Sequence, residues 1–266
     1  MYTFNYHRPT SLEEARALFQ EAEDGIYLAG GQTLIPTMKQ RLAAPSDVID
    51  LARVEGLDGV EVTPETVQVG AFTRHGEVAA HRDIRATLPA LAALAECIGD
   101  AQVRNRGTLG GSVANSDPAA DYPAAVIGLG ATLHTSQRSI PADDFFRDLF
   151  ETALDPGEII TRIDFPVPAR AAYRKFPHPA SRYAVVGVLV ADFGGDIRVG
   201  ITGAGPCAFR GTALEEALER QLDPRALDQV EVPDAGFNSD LFASADYRAH
   251  LVKVMARRAV ADLLRI

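Results

Sequence analysis

Ile26-Tyr27-Leu28-Ala29-Gly30-Gly31-Gln32-Thr33-Leu34-Ile35-Pro36 sets the opening architecture of this chain. Ile26 to Ala29 has strand character and runs into a glycine pair, after which a helix is predicted near Leu34 to Leu42. A glycine turn between a strand and a helix start points several backbone amides outward. Upstream, Ser11 and Glu14 have capping-box spacing, and Leu12, Ala15, Leu18, Phe19 and Ala22 form a helical stripe ending at Gly25. Tyr2, Phe4 and Tyr6 alternate as a strand does, and Val48 to Leu51 predicts another. The opening is βαβαβ.

Beyond it the pattern changes. Gly59–Val62 and Thr66–Ala71 flank Thr63-Pro64-Glu65 and predict a hairpin. Helices are expected at Arg74–His81, Pro89–Ile98 and Asp121–Gly128, and strands near Ala131–Thr135 and Ile159–Phe165. Val103 to Asn115, rich in Gly, Ser and Asn, is expected to be a long, donor-rich loop. Pro166, Pro168 and Ala169–Ala172 suggest a linker. Ala172–Phe176, Ala184–Phe193 and Ile197–Gly203 then predict an antiparallel group, the last two joined at Gly194-Gly195-Asp196. Thr212 with Glu215 suggests a capping box opening a helix through Arg220, and Asp246 to Leu264 carries a final helical pattern. The expected class is α+β, with a separate C-terminal unit and no internal repeat.

Composition narrows the function. The chain has 266 residues and a net charge of −10, which argues against nucleic acid or anionic lipid as the main partner. Two cysteines, Cys97 and Cys207, fall short of the four thiolates that hold an iron–sulfur cluster. The first residues lack an apolar h-region, and Tyr183 to Phe193 is too short to span a bilayer. A soluble, cytoplasmic protein without an integral membrane segment is expected.

Motifs narrow it further. The six histidines show no metal-binding spacing, and no nucleophile elbow or lysine-bearing phosphate loop is present. No residue is singled out as catalytic or metal-ligating. Gly203-Ala204-Gly205-Pro206-Cys207-Ala208 fits a loose dinucleotide fingerprint, but no helix starts inside it and Pro206 lacks the amide a phosphate needs. Two other glycine pairs suit an anion better: Ala29 to Thr33, and Thr108-Leu109-Gly110-Gly111-Ser112. Together they can clamp a diphosphate through backbone N–H groups without lysines. Arg104 and Arg106 either add charge there or are ordinary surface residues.

The first of these loops followed by Leu34-Ile35-Pro36, and the long run from Val103 through Thr108-Leu109-Gly110-Gly111-Ser112-Val113-Ala114-Asn115-Ser116-Asp117-Pro118-Ala119-Ala120-Asp121 to Ala125, carry a family resemblance. They resemble the FAD-binding medium subunits of the molybdenum hydroxylases, those of the xanthine dehydrogenase and aerobic carbon monoxide dehydrogenase type. Asp246-Tyr247-Arg248-Ala249-His250-Leu251 is similar to that family's final helix. The resemblance implies a two-part FAD-binding domain of the vanillyl-alcohol-oxidase and MurB type over residues 1–170, divided at 55/56. A smaller α+β domain with an antiparallel sheet would follow over 171–266.

It also implies function. FAD would take electrons from iron–sulfur clusters on a small subunit, which receives them from a molybdenum cofactor on a large one, in a dimer of heterotrimers. The implied FAD contacts are Ala29, Gly30, Gly31, Gln32, Thr33, Leu34, Thr108, Leu109, Gly110, Gly111, Ser112, Asn115, Asp117 and Asp121. Ile98, Ile160, Lys175 and Tyr183 would neighbour the flavin. Tyr183 would pack on the ring, Lys175 would offset negative charge, and Asp121 would take a ribityl or ribose hydroxyl. The large subunit would choose the substrate: carbon monoxide, an aldehyde, a purine or another N-heterocycle. A free-standing flavin or nicotinamide oxidoreductase and a flavin-free scaffold are the alternatives.

Overall fold

The computed structural model describes residues 1–265 and begins with a three-stranded parallel sheet. Asp47–Asp50 lies between Asn5–His7 and Gly25–Leu28. The first strand is shorter than the Tyr2–Tyr6 alternation suggests, because only Asn5–His7 has a partner, at Asp47–Ile49. In the helix Leu12–Glu21 the Ser11 hydroxyl accepts the Glu14 amide at 3.1 Å, as its capping signal predicts. The Glu14 carboxylate accepts the Thr10 amide at 2.7 Å, one residue before the expected position. The buried face of this helix, Ala15 with Leu18 and Phe19, packs on Ile49, Leu51 and Ile159. Ile159 immediately precedes the central strand of the next sheet, so the first two sheets meet here.

That second sheet is antiparallel, with strand order Val60–Val62, Thr66–Gly70, Ile160–Pro166, Thr132–Thr135, Ser139–Pro141. The hairpin at 63–65 is present. Helices fill the long excursion before the central strand, among them His75–Ala80, Pro89–Glu96 and Tyr122–Gly128. One expectation fails here. The supposed loop 103–115 contains the end of a short helix, Ala101–Arg104, and a second helix, Leu109–Asn115, capped by the Thr108 hydroxyl on the Gly111 amide. Each interior glycine weakens a helix by about 1 kcal/mol relative to alanine, so the pair Gly110-Gly111 masks it. Packing overrides that preference: a Cβ on Gly110 would lie 2.5 Å from the Ala71 Cβ and 2.8 Å from its carbonyl oxygen.

The third sheet runs in chain order, Arg170–Pro177, Ala184–Asp192, Ile197–Thr202 and Phe209–Arg210. The expected linker is shorter than its composition suggests, since Arg170, Ala171 and Ala172 already pair with Asp192, Ala191 and Val190. At the Gly194-Gly195 turn both φ angles are positive, and the Asp192 carboxylate accepts both amides. The capping box at Thr212 does not form. Gly211 occupies the cap position, and the buried Glu215 carboxylate accepts the Val199 amide and pairs with Arg210.

The C-terminal unit shares core with what precedes it. Every residue of Ala184–Asp192 is buried. Val186, Val188 and Val190 pack with the helices Thr212–Arg220 and Ala245–Leu263, while Leu189 and Ala191 join the core of the second sheet. Helix Tyr122–Gly128 lies so close to Ile197–Thr202 that a Cβ on Gly200 would be 2.1 Å from the Ala124 carbonyl oxygen. Among the described residues no helix is long and apolar enough to cross a membrane.

Candidate functional site

The strand Gly25–Leu28 ends in the turn that the glycine pair predicts, with Gly31 at φ 71° and the helix Leu34–Lys39 following. Thr33 gives no side-chain cap to that helix. Among the described residues no protein acceptor takes the amides of Gly30, Gly31, Gln32 or Thr33. A row of unpaired amides at a helix start is suited to an anion.

The second glycine pair works differently. The amides of Leu109, Gly110, Gly111 and Ser112 are all engaged, by the carbonyls of Thr73 (3.0 Å) and Ala71 (2.7 Å), the Thr108 hydroxyl (3.2 Å) and the Thr108 carbonyl (3.0 Å). The expectation that both loops offer free amides therefore holds for the first alone. The second segment supplies the opposing wall. A Cβ on Gly111 would lie 3.3 Å from the Ala29 Cβ, and one on Gly30 would lie 2.3 Å from the Arg106 carbonyl oxygen. The glycines let two backbones meet. The Arg104 guanidinium donates to the carbonyls of Ile98 (2.9 Å) and Gly99 (3.3 Å), so any charge it adds here acts as a field and not through a free donor.

From this wall the helix Leu109–Asn115, about 10 Å long, leads toward a second cluster. Asp121, 4% exposed, accepts hydrogen bonds from the Tyr173 hydroxyl at 2.7 Å and the Lys175 ammonium at 2.9 Å. Lys175 also donates to the carbonyls of Cys97 (2.9 Å) and Arg182 (2.8 Å). One ammonium thus joins the segment before Ile98, the start of the helix after Asp121, and the turn before Tyr183. Burial pushes the Asp121 carboxyl up, opposed by the Lys175 charge and the Tyr173 hydroxyl. Burial, reinforced by the Asp121 charge, raises the Cys97 thiol to about 12, so it stays protonated. Asp117 is also raised by burial, although the Ala119 amide at 2.9 Å acts the other way.

The apolar neighbours differ in what they leave open. Ile160 is 5% exposed and belongs to the second sheet's core, so only its edge is available, whereas Tyr183 is 44% exposed. Burial raises the Tyr183 hydroxyl, and the charges of Asp117 and Asp121 act in the same direction. Tyr173 and Cys97 are members of this cluster that sequence reasoning did not select. Tyr173 was within reach, because it stands two residues before Lys175 and so faces the same side of the strand. The loop at Gly203 stays a loop. Its amide donates to the Pro118 carbonyl, its carbonyl accepts from Arg248, and a strand follows it rather than a helix.

Residues 2–168 match the family model described as the FAD binding domain in molybdopterin dehydrogenase. The chain belongs to that family. Its cofactor is FAD, and the free amides of residues 30–33 beside the glycine wall fit the diphosphate of such a molecule. This family member is 34% identical to the carbon monoxide dehydrogenase medium chain of Hydrogenophaga pseudoflava, over 97% of this chain and 96% of that one. It is 32% identical to the glyceraldehyde dehydrogenase medium chain of Sulfolobus acidocaldarius, over 98% of each. Its fold matches a solved chain of a cyanide-inactivated Cu,Mo-CO dehydrogenase with a TM-score of 0.90 at 34% identity, covering 99% of this chain and 98% of that one.

Proposed function

We propose that this chain is the flavin subunit of a molybdenum hydroxylase assembled from large, medium and small subunits and doubled into a hexamer. FAD, when bound, supplies the redox centre between iron–sulfur clusters on the small partner and an external acceptor. Residues 1–170, divided at 55/56, form the FAD-binding part, and residues 171–266 close over it. Ala29 to Leu34 and Thr108 to Ser112 hold the diphosphate, the first by its amides and the second by its shape and the Ser112 hydroxyl. Asn115 and Asp117 line the path onward. Asp121 takes a ribityl or ribose hydroxyl, while Ile98, Ile160 and Tyr183 border the ring. Lys175, with its donors used within the chain, acts by its positive field. The substrate is chosen by the large partner, and cytoplasmic residence is part of the same reading.

The observation that supports this most is the row of unpaired amides at 30–33 facing a wall that only glycines allow. It predicts a clear division of labour. Expressed alone, the chain should bind FAD and show flavin absorbance, yet oxidise no carbon substrate with an artificial acceptor. From its native source it should co-purify with cluster-bearing and molybdenum-bearing chains. A colourless protein that cannot be reconstituted with FAD, or turnover of a carbon substrate by the isolated chain, would overturn the proposal.

A further inference from the structure

Tyr183 stands at the end of a tight turn closed by its own backbone and one imidazole. The His178 amide donates to the Tyr183 carbonyl at 2.7 Å, the Arg182 amide donates to the His178 carbonyl at 2.9 Å, and Arg182 takes a left-handed φ of 62°. Inside the turn, the His178 Nδ1 accepts the amides of both Ala180 and Ser181 at 3.2 Å. An imidazole nitrogen that accepts carries no proton, so this cap is made by the neutral ring.

The turn is braced from two sides. The Phe242 ring meets His178 at 90° with centres 4.3 Å apart, although Phe242 itself is 66% exposed. Phe242 is held there by Asp240, which accepts the Phe242 amide at 2.8 Å and pairs with Arg248 at 2.6 Å. Buried Arg248 also holds the carbonyls of Val185 (2.6 Å) and Gly203 (2.7 Å), and Val185 lies two residues beyond Tyr183. From the site side, Lys175 grips the Arg182 carbonyl.

We infer that His178 is a positioning residue that sets Tyr183 against the flavin, by capping the 178–183 turn and bearing on Phe242 in the segment before the helix Ala245–Leu263. This rests on the placement of Tyr183 at the flavin ring proposed above. A tyrosine packed on a flavin quenches its fluorescence, so the holoprotein itself reports the position. Tyr183→Ala and His178→Leu should each raise the fluorescence of bound FAD severalfold and to a similar level. His178→Asn should stay at the wild-type level, because its side-chain oxygen can accept the same two amides. Adding His178→Leu to Tyr183→Ala should change nothing further, since His178 acts through Tyr183.

A second measurement needs no cofactor. Trypsin should cut the full chain after Arg182 about tenfold faster in His178→Leu than in the wild type or His178→Asn, as a tenfold population shift of an opened turn demands. Wild-type cleavage and fluorescence in His178→Leu would overturn the inference. If Tyr183→Ala leaves the fluorescence unchanged while His178→Leu still speeds cleavage, the placement of Tyr183 fails and the cap stands.

Discussion

His75 is 5% exposed, with its ring on Tyr122 at 5.3 Å between centres. Its Nε2 would be 2.5 Å from a Cβ on Gly107, and Gly107 in turn backs Gly30. Burial, with the Arg104 charge adding to it, pushes this imidazole down to about 4. The folded chain therefore binds the proton more weakly than the unfolded chain, where histidine titrates near 6.5. Stability from this residue is complete above about pH 6.5 and is lost as pH falls toward 4, a difference of about 3 kcal/mol. Urea unfolding at pH 7 and pH 4.5 should show His75→Phe losing less stability on acidification than the wild type, by about 2 kcal/mol. Equal losses would place the acid sensitivity elsewhere. At this scale the sequence is least legible. Asp121 and Lys175 are recognisable separately as family positions, yet their pairing joins residues far apart in the chain and appears only once the sheets are packed.

Among elements, the helix Leu109–Asn115 shows where local signals and packing conflict. Thr108 as a cap and Leu109 with Val113 at helical spacing are positive signs, and both apolar residues are buried. The two glycines outweigh them in any local reading, because their reason lies in Ala71 and Ala29, outside the segment. The consequence differs between the two. Gly110→Ala presses on the Ala71 backbone and should cost about 1–3 kcal/mol with or without cofactor, as urea titration of the free chain would register. Gly111→Val meets a hydroxyl and the opposite loop, so FAD affinity should fall sharply while the free chain remains folded. Gly205→Val, in the loop at Gly203, is the control that should leave FAD affinity nearly unchanged. The periodic elements, by contrast, are readable: the opening βαβαβ, the hairpin at 63–65 and the final helix all form where their spacing marks them, although Tyr2, Tyr6 and Tyr247 stay exposed.

For the whole molecule, prolines and alanines at 166–172 suggest a linker to a separate C-terminal unit, but the packing joins that unit to the core before it. Leu189 and Ala191 from the third sheet complete the core of the second, and Ile159 carries the contact on to the first. Composition cannot reveal this, because it depends on the helix Tyr122–Gly128 being thin enough, through Gly128 and Gly200, to seat against the sheet. Unfolding should accordingly be one cooperative transition. Far-ultraviolet dichroism and tyrosine fluorescence should give coincident urea midpoints, and two resolved midpoints would restore the picture of separate units.

The strand Ile160–Pro166 lies between Thr66–Gly70 and Thr132–Thr135, yet it is translated after both. During synthesis the hairpin and all the helices of the excursion are made before the strand that completes their sheet exists. Lys175, which ties the segments at Cys97 and Arg182 together, follows later still. On the proposed placement of FAD, a nascent chain can thus present its amide row early and still lack the lysine that ties the ring-side segments together. If those segments hold FAD as proposed, cofactor acquisition follows the making of this stretch, and a ribosome stalled before residue 160 leaves a polypeptide with exposed strand edges, a form prone to aggregate.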